Sequence, residues 1–182
     1  HCSSAARGWR TRAIVEAANA AKADLICLTG DYVDGKVAYL KDDMAPLKDL
    51  RARDGVWWVT GNHEFYLDGF RWEKWYRENG FRFLVNGCAH PRPSLALAGV
   101  NDEAVSRYGG YGNVAPDVAA AFRASRLGDF RILLEHRPGN FRANAARHGV
   151  DLQLSGHTHG GIAPLIDRVV ARANDGFVRG LY

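Results

Sequence analysis

An α/β layered fold is predicted by two features: short apolar runs alternate with stretches of helical periodicity, and polar motifs recur directly behind the apolar runs. In such folds ligands gather beyond the C-terminal ends of the strands, so the second feature supports the first. A helical pattern over residues 10–22 precedes the run Leu25-Ile26-Cys27-Leu28, which predicts a strand over 24–29. A helix is expected over 43–53, and Val56-Trp57-Trp58-Val59 predicts a strand over 56–60. Residues 68–79 repeat the helical pattern, 81–85 and 94–100 read as strands, and Pro116 is well placed to open a helix over 116–125. Ile132-Leu133-Leu134 marks a strand over 131–134, residues 141–148 a helix, and Leu152-Gln153-Leu154 a strand over 151–154. No internal repeat, low-complexity segment or linker interrupts this order, so the 182 residues are read as a single domain.

Composition narrows the function classes. The net charge of +4 comes from arginines scattered along the chain, which suits anionic small molecules weakly and offers no clustered track for nucleic acid. Cys2, Cys27 and Cys88 have neither the even count of a disulfide framework nor the spacing of a zinc knuckle. No run approaches the ~18 apolar residues of a membrane span, and residues near His1 lack the apolar core of a signal peptide. The chain starts at His1 and carries its one methionine at Met44, so it is expected to be part of a longer product. It reads as soluble, with its compartment and any membrane association through flanking segments left open.

The motifs carry the chemistry. Gly30-Asp31-Tyr32-Val33-Asp34-Gly35 follows the first strand, Gly61-Asn62-His63-Glu64 the second, Glu135-His136-Arg137-Pro138 the run at 132–134, and Ser155-Gly156-His157-Thr158-His159-Gly160-Gly161 the run at 152–154. Two imidazoles one residue apart in a glycine-bounded turn can aim at neighbouring metal ions, an Asp can bridge two ions, and an Asn carbonyl can complete one of them. His90 and His148 fall in no motif and are read as structural. Asp34 precedes Gly35 and would also serve as a plain turn residue.

In this order and at these strand ends the motifs resemble those of the calcineurin-like metallophosphoesterase superfamily, with the pattern D-x-H, G-D, G-N-H-[DE], a lone His and G-H-x-H. The resemblance runs from His1 to His159, with His1 matching the histidine of D-x-H; the aspartate two positions before it and the C-terminal strands of the domain would lie outside this chain. It implies an α/β/β/α sandwich and two metal ions, Mn, Fe, Zn or Mg. Asp31 would bridge them, His1 and His159 would serve the first, and Asn62, His136 and His157 the second. It further implies that His63 protonates the leaving oxygen and that Asp34 orients His63, while a metal-bound hydroxide attacks phosphorus.

Departures from the family pattern shape the substrate expectation. Gly35 and Lys36 follow Asp34 where the protein Ser/Thr phosphatases of the superfamily carry an Arg, which disfavours a phosphoprotein. The segments at 97–102 and 176–182 look more like a bacterial branch of small phosphoesterases, often membrane-associated, that includes enzymes acting on nucleotide-linked lipid precursors. Ile162 stands where that branch often has Gln, and Gly180-Leu181-Tyr182 reads as an unfinished strand. Most aromatics between Trp57 and Tyr76 are expected in the core, with Phe65 and Tyr66 as substrate contacts. The expected function is hydrolysis of a small phosphomonoester or phosphodiester. The alternatives are a pyrophosphatase acting on a nucleotide-linked lipid and a family member that binds metal or a partner without catalysis; His63 argues for catalysis.

Overall fold

The computed structural model describes residues 1–5, 7–110, 112, 114–161, 163 and 165–182. Helix α1 (Gly8–Ala20) leads into a parallel sheet ordered β1 (Ile26–Leu28), β2 (Val56–Trp58) and β3 (Arg82–Phe83), with Ile26 beside Val56 and Trp57 beside Arg82. Parallel neighbours need crossovers that carry the chain back. Helix α2 (Val37–Met44) and a 3-10 turn over Ala45–Asp49 link β1 to β2, while α3 (His63–Tyr66) and α4 (Gly69–Glu78) link β2 to β3. The second sheet runs β4 (Gly87–Arg92), β5 (Leu95–Gly99), β6 (Phe130–Leu134), β7 (Leu152–Leu154), antiparallel at the β4–β5 hairpin and parallel beyond it. Helices α5 (Val105–Tyr108), α6 (Val118–Ala121), α7 (Phe141–His148) and α8 (Ile166–Ala173) complete the described elements.

The pleat of the strands sorts their side chains into layers. Along β5, Ala96 and Ala98 pack with Leu133, Ala121, Phe122 and Val150 on one face, while Leu97 on the other face joins Ile132, Leu134, Val59 and Leu84 between the two sheets. In the first sheet Leu28 and Trp58 face outward, where Val15, Leu40, Met44, Trp72 and Tyr76 of α1, α2 and α4 cover them. The result is the expected order of helices, sheet, sheet, helices. At its centre the sheets touch closely: a Cβ added to Gly99 would stand 2.6 Å from both Leu84 Cβ and Val59 Cγ1.

Several elements differ from the sequence expectation. The helix expected over 43–53 is instead α2, which ends at Met44, because Pro46 lacks the N–H that an α-helix would need there and turns the next residues into 3-10 geometry. The start of α2 is held by a distant group, the Asp68 carboxylate, which accepts from the Val37 N–H at 3.2 Å. Within 116–125 only Val118–Ala121 is helical. Asp117 caps it by accepting from Ala120 N–H at 2.9 Å, and the following bonds reach three residues back and close a turn. Strand β4 was not expected, since Gly87 and Pro91 weaken any strand pattern; it lies at the end of its sheet, with a register shift between Ala89 and Arg92. Helix α8 was also unforeseen. Residues 180–182 form no strand: the Tyr182 hydroxyl accepts from the N–H groups of Val178 (2.9 Å) and Arg179 (3.2 Å) while its ring rests 4.9 Å from Phe177.

If the two sheets pack directly at β5, Gly99→Ala should destabilise the protein by about 1–3 kcal/mol through overpacking. Urea unfolding measures this, and a change under about 0.5 kcal/mol would mean that the sheets do not meet there.

Candidate metal centre

The loops behind β1 and β2 approach each other backbone to backbone. A Cβ on Gly30 would lie 2.3 Å from the Gly61 nitrogen, and one on Gly61 would lie 2.3 Å from Asp31 Oδ1, so neither position has room for a side chain. Both loops are tied to the fully buried Glu64. Its carboxylate accepts from the N–H groups of Asp31 (2.7 Å), Tyr32 (2.6 Å) and Gly61 (2.6 Å). Burial and the nearby Asp31 charge push the Glu64 carboxyl above its ordinary range, against these three N–H groups. Asp31 is thereby held at φ 61°, and its Oδ1 accepts from the His63 N–H at 2.9 Å.

The remaining histidines arrive from three directions. Cys2 N–H donates to the Tyr32 carbonyl (2.5 Å) and Asp34 N–H to the Cys2 carbonyl (2.8 Å), so residues 1–2 run beside 32–34 and deliver His1. His1 Nε2 lies 3.0 Å from His159 Nε2 and 3.8 Å from Asp31 Oδ2. From the second sheet, His136 donates through Nδ1–H to the Thr29 carbonyl at 2.6 Å. That bond fixes its tautomer and leaves Nε2 3.1 Å from Asp31 Oδ2 and 3.3 Å from His157 Nδ1. His157 and His159 both have left-handed backbone, at φ 66° and 49°, a conformation that costs on the order of 1–3 kcal/mol and must be enforced by the surrounding structure. Between them the Thr158 hydroxyl donates to the Val178 carbonyl at 2.6 Å.

Electrostatics favour the ligand form of Asp31 and His157, while His136 is held toward its protonated form by the carboxylate it faces. Burial alone would raise the Asp31 carboxyl, but the hydrogen bond and charge of His136 and the His63 N–H hold it below the usual carboxylate range. Burial would lower His136, yet the Asp31 carboxylate outweighs it and holds the imidazole above its ordinary value. Burial and the charges of His136 and Arg137 bring His157 down to about 4, so it offers a neutral imidazole at ordinary pH.

Two ligand groups result, His1 with Asp31 and His63, and Asp31 with His136 and His157, each with donor atoms within 4.8 Å of one another. Asp31 belongs to both. His63 stands in the first group where His159 was expected, with His159 one imidazole further out, against His1. Asn62 donates through Nδ2 to the Tyr66 hydroxyl at 3.2 Å, while its buried Oδ1 has no hydrogen-bond partner. An orphaned buried oxygen costs about 1–3 kcal/mol unless a cation answers it. That orphan and the crowded nitrogen and oxygen donors fit metal ions of the Mn, Fe, Zn or Mg class.

His63 Nδ1 lies 3.3 Å from Asp34 Oδ1, which brings together the pair expected to act as acid and orienter. Tyr66 reaches the rim, half exposed and with its ring 5.2 Å from that of His63. Phe65 does not: it is buried in the outer core, because the short helix α3 turns it inward beneath the loop, and the expectation of a substrate contact there is corrected. Ile162 lies outside the described residues. His90 pairs with Asp129 at 2.9 Å, apart from the ligand groups.

Sequence reasoning assigned no role to Glu64 or to the buried network behind His136. There Glu135 accepts from Asn140 (3.0 Å) and Asn144 (2.6 Å), Gln153 donates to Ser155 (3.1 Å), and Ser155 donates to the Glu135 carbonyl (2.6 Å), locking the β6 and β7 loops together. Arg137 grips Asp102 through two nitrogens at 2.7 and 3.1 Å. The polar residues flanking His136 were the only local sign of this network.

Comparison with known proteins gives a consistent picture. The family model for calcineurin-like phosphoesterase matches residues 8–161. An uncharacterized metallophosphoesterase of Helicobacter pylori is 32% identical over 170 residues, 93% of this chain and 44% of that protein. A Bos taurus protein named as a transmembrane protein with metallophosphoesterase domain is 36% identical over 92% of this chain and 40% of its own length. An uncharacterized metallophosphoesterase of Aquifex aeolicus is 34% identical over 83% of this chain and 56% of its own. The chain thus spans about half the length of the curated relatives it matches. No solved structure matches it.

Glu64→Ala removes the acceptor of three buried N–H groups, each worth about 1–3 kcal/mol when left unsatisfied, so it should cost at least about 3 kcal/mol in chemical denaturation. A loss below about 1 kcal/mol would show that the loops hold their geometry without it.

Proposed function

The chain belongs to the calcineurin-like phosphoesterase family, and we propose that it hydrolyses phosphoester bonds with the help of two metal ions. The observation that carries this reading is Asp31, a carboxylate common to both ligand groups, together with the partnerless buried Oδ1 of Asn62, the residue before His63, whose N–H donates to Asp31. On this proposal Asp31 would serve both ions, His1 and His159 would help hold the first, and Asn62, His136 and His157 the second. Bound there, the ions would offset phosphoryl charge and make water nucleophilic at neutral pH.

The chain's own residues supply the rest. His63 donates a proton to the leaving oxygen, and Asp34, 3.3 Å from its Nδ1, fixes the ring so that the opposite nitrogen faces the substrate. That pairing favours the acid role over the ligand role that His63's nearness to His1 and Asp31 also allows. It likewise favours catalysis over mere metal binding, since a structural metal site has no use for an oriented acid. The substrate class we propose is a small phosphomonoester or phosphodiester. Gly35-Lys36 offers no arginine behind Asp34 for a phosphoprotein.

The test is a panel of phosphomonoesters and phosphodiesters assayed with Mn, Mg, Zn and Fe, run in parallel on His63→Ala. The variant should retain its metal content and lose about 10²- to 10⁴-fold in turnover, least for nitrophenyl esters, whose leaving group needs no proton. Loss of metal instead would make His63 a ligand, and an equal loss on good and poor leaving groups would remove its acid role.

A further inference from the structure

Asn62 and Tyr66 stand four residues apart along the short helix α3, a spacing that brings two side chains onto one face. There the Asn62 Nδ2–H donates to the Tyr66 hydroxyl oxygen at 3.2 Å. A carboxamide is planar, with its donor nitrogen and its acceptor oxygen on either side of one carbon. Holding one end therefore decides where the other goes. The held end is the nitrogen, and the free end, Oδ1, is buried without a hydrogen-bond partner among the described residues. Buried amide oxygens are ordinarily answered by a donor, so this one is kept open by the way its amide is held.

Tyr66 is itself held from both sides. Its ring lies 5.2 Å from the His63 ring and 5.2 Å from that of Tyr108, edge-on to the latter at 67°. At the foot of α3 the buried Glu64 accepts from the N–H groups of Asp31 and Gly61, and Phe65 anchors the inward face in the core, so the helix is fixed in rotation. The phenol is 43% exposed, yet its oxygen is brought to Asn62 by a ring with little freedom to turn. A substrate contact at the rim has no need of that bond.

We propose that Tyr66 is a positioning residue, whose hydroxyl fixes the Asn62 amide with Oδ1 presented to the second metal ion. The inference rests on the function proposed above in taking Asn62 as a ligand of that ion. A hydroxyl can accept or donate, and the metal side of the amide settles which: the turned-over amide would aim N–H groups at a cation, so the hydroxyl serves as acceptor. Without the hydroxyl both orientations of the amide become accessible. The ion must then select the competent one, which lowers its affinity. Partners that orient a metal ligand from behind are worth about 10- to 100-fold in metal affinity. The first ion, which does not draw on Asn62, should not feel the loss.

The experiment is calorimetric titration of the metal-free protein with Mn²⁺, on wild type, Tyr66→Phe, Asn62→Ala, the double variant Asn62→Ala/Tyr66→Phe, and Tyr108→Phe, each checked for native circular dichroism. Tyr66→Phe keeps the ring against His63 and Tyr108 and removes only the oxygen. It should weaken one ion by about 10-fold or more. The other ion, and the KM for a nitrophenyl phosphodiester at saturating Mn²⁺, should stay within about twofold of wild type. Tyr108→Phe, which removes a hydroxyl from the neighbouring ring, should bind Mn²⁺ as wild type does. Because Tyr66 acts through Asn62, the double variant should bind no more weakly than Asn62→Ala alone. Unchanged Mn²⁺ affinity in Tyr66→Phe would overturn the proposal, as would a further loss in the double variant. A raised KM with wild-type Mn²⁺ affinity would make Tyr66 a substrate contact instead. Weakened Mn²⁺ binding by Tyr66→Phe, in a protein whose wild type hydrolyses no phosphoester with any metal, would leave the role of Tyr66 standing and sink the catalytic reading.

Discussion

The Glu64 carboxylate accepts three backbone N–H groups from two loops, and the arrangement of the metal centre depends on that convergence. A carboxylate with no solvent contact is costly to bury, and charge-assisted bonds of 2.6–2.7 Å offset the cost only if every donor stays in place. The loops behind β1 and β2 are therefore held in one relative position. Gly30 and Gly61 permit the approach, since any side chain at either would drive the loops apart. Asp31 is fixed as a consequence: its own N–H is committed to Glu64, its Oδ1 to His63, and its Oδ2 is left toward His1 and His136.

The other half of the site comes from a different sheet, so its geometry rests on packing between the sheets. Side chains of Val59, Leu84, Leu97 and Leu134 set that spacing. Two polar links then register the loops across the gap. His136 donates to the Thr29 carbonyl behind β1, and Thr60 behind β2 donates to Asn101 (3.1 Å) and accepts from Asp102 N–H (3.0 Å) behind β5. The Glu135 network ties the β6 and β7 loops together, which sets His157 Nδ1 3.3 Å from His136 Nε2. Displacement of either sheet would separate Asp31 from His136, and with it the shared position of the carboxylate in both ligand groups.

Much of this was legible in the sequence because strands and ligands announce themselves locally. Four apolar runs ending in polar motifs placed Asp31, Asn62, His136, His157 and His159 on one edge, and the described structure sets Asp31 beside His136 and His157, with His159 against His1. The parts that were not legible depend on distant partners. Asp68 starts α2 from thirty-one residues away, and β4 exists because β5 offers it an edge despite Gly87 and Pro91. Phe65 and Tyr66 are adjacent in sequence but face opposite ways, and no pattern in a four-residue helix tells which enters the core. Glu64 was visible as a letter of a motif, yet a carboxylate beside metal-binding residues reads first as chemistry. Its work as an acceptor for backbone N–H groups emerges only when two loops are seen in contact.

On the proposed function Asp31 would lie between two ions rather than beside one. The direct measurement is titration of the metal-free protein with Mn²⁺ followed by electron paramagnetic resonance. Two ions joined through a shared carboxylate should bind and give an exchange-coupled spectrum, which Asp31→Asn should convert to that of uncoupled or weakly bound ions. Binding of a single ion, or of two that keep the hyperfine pattern of isolated Mn²⁺, would contradict it.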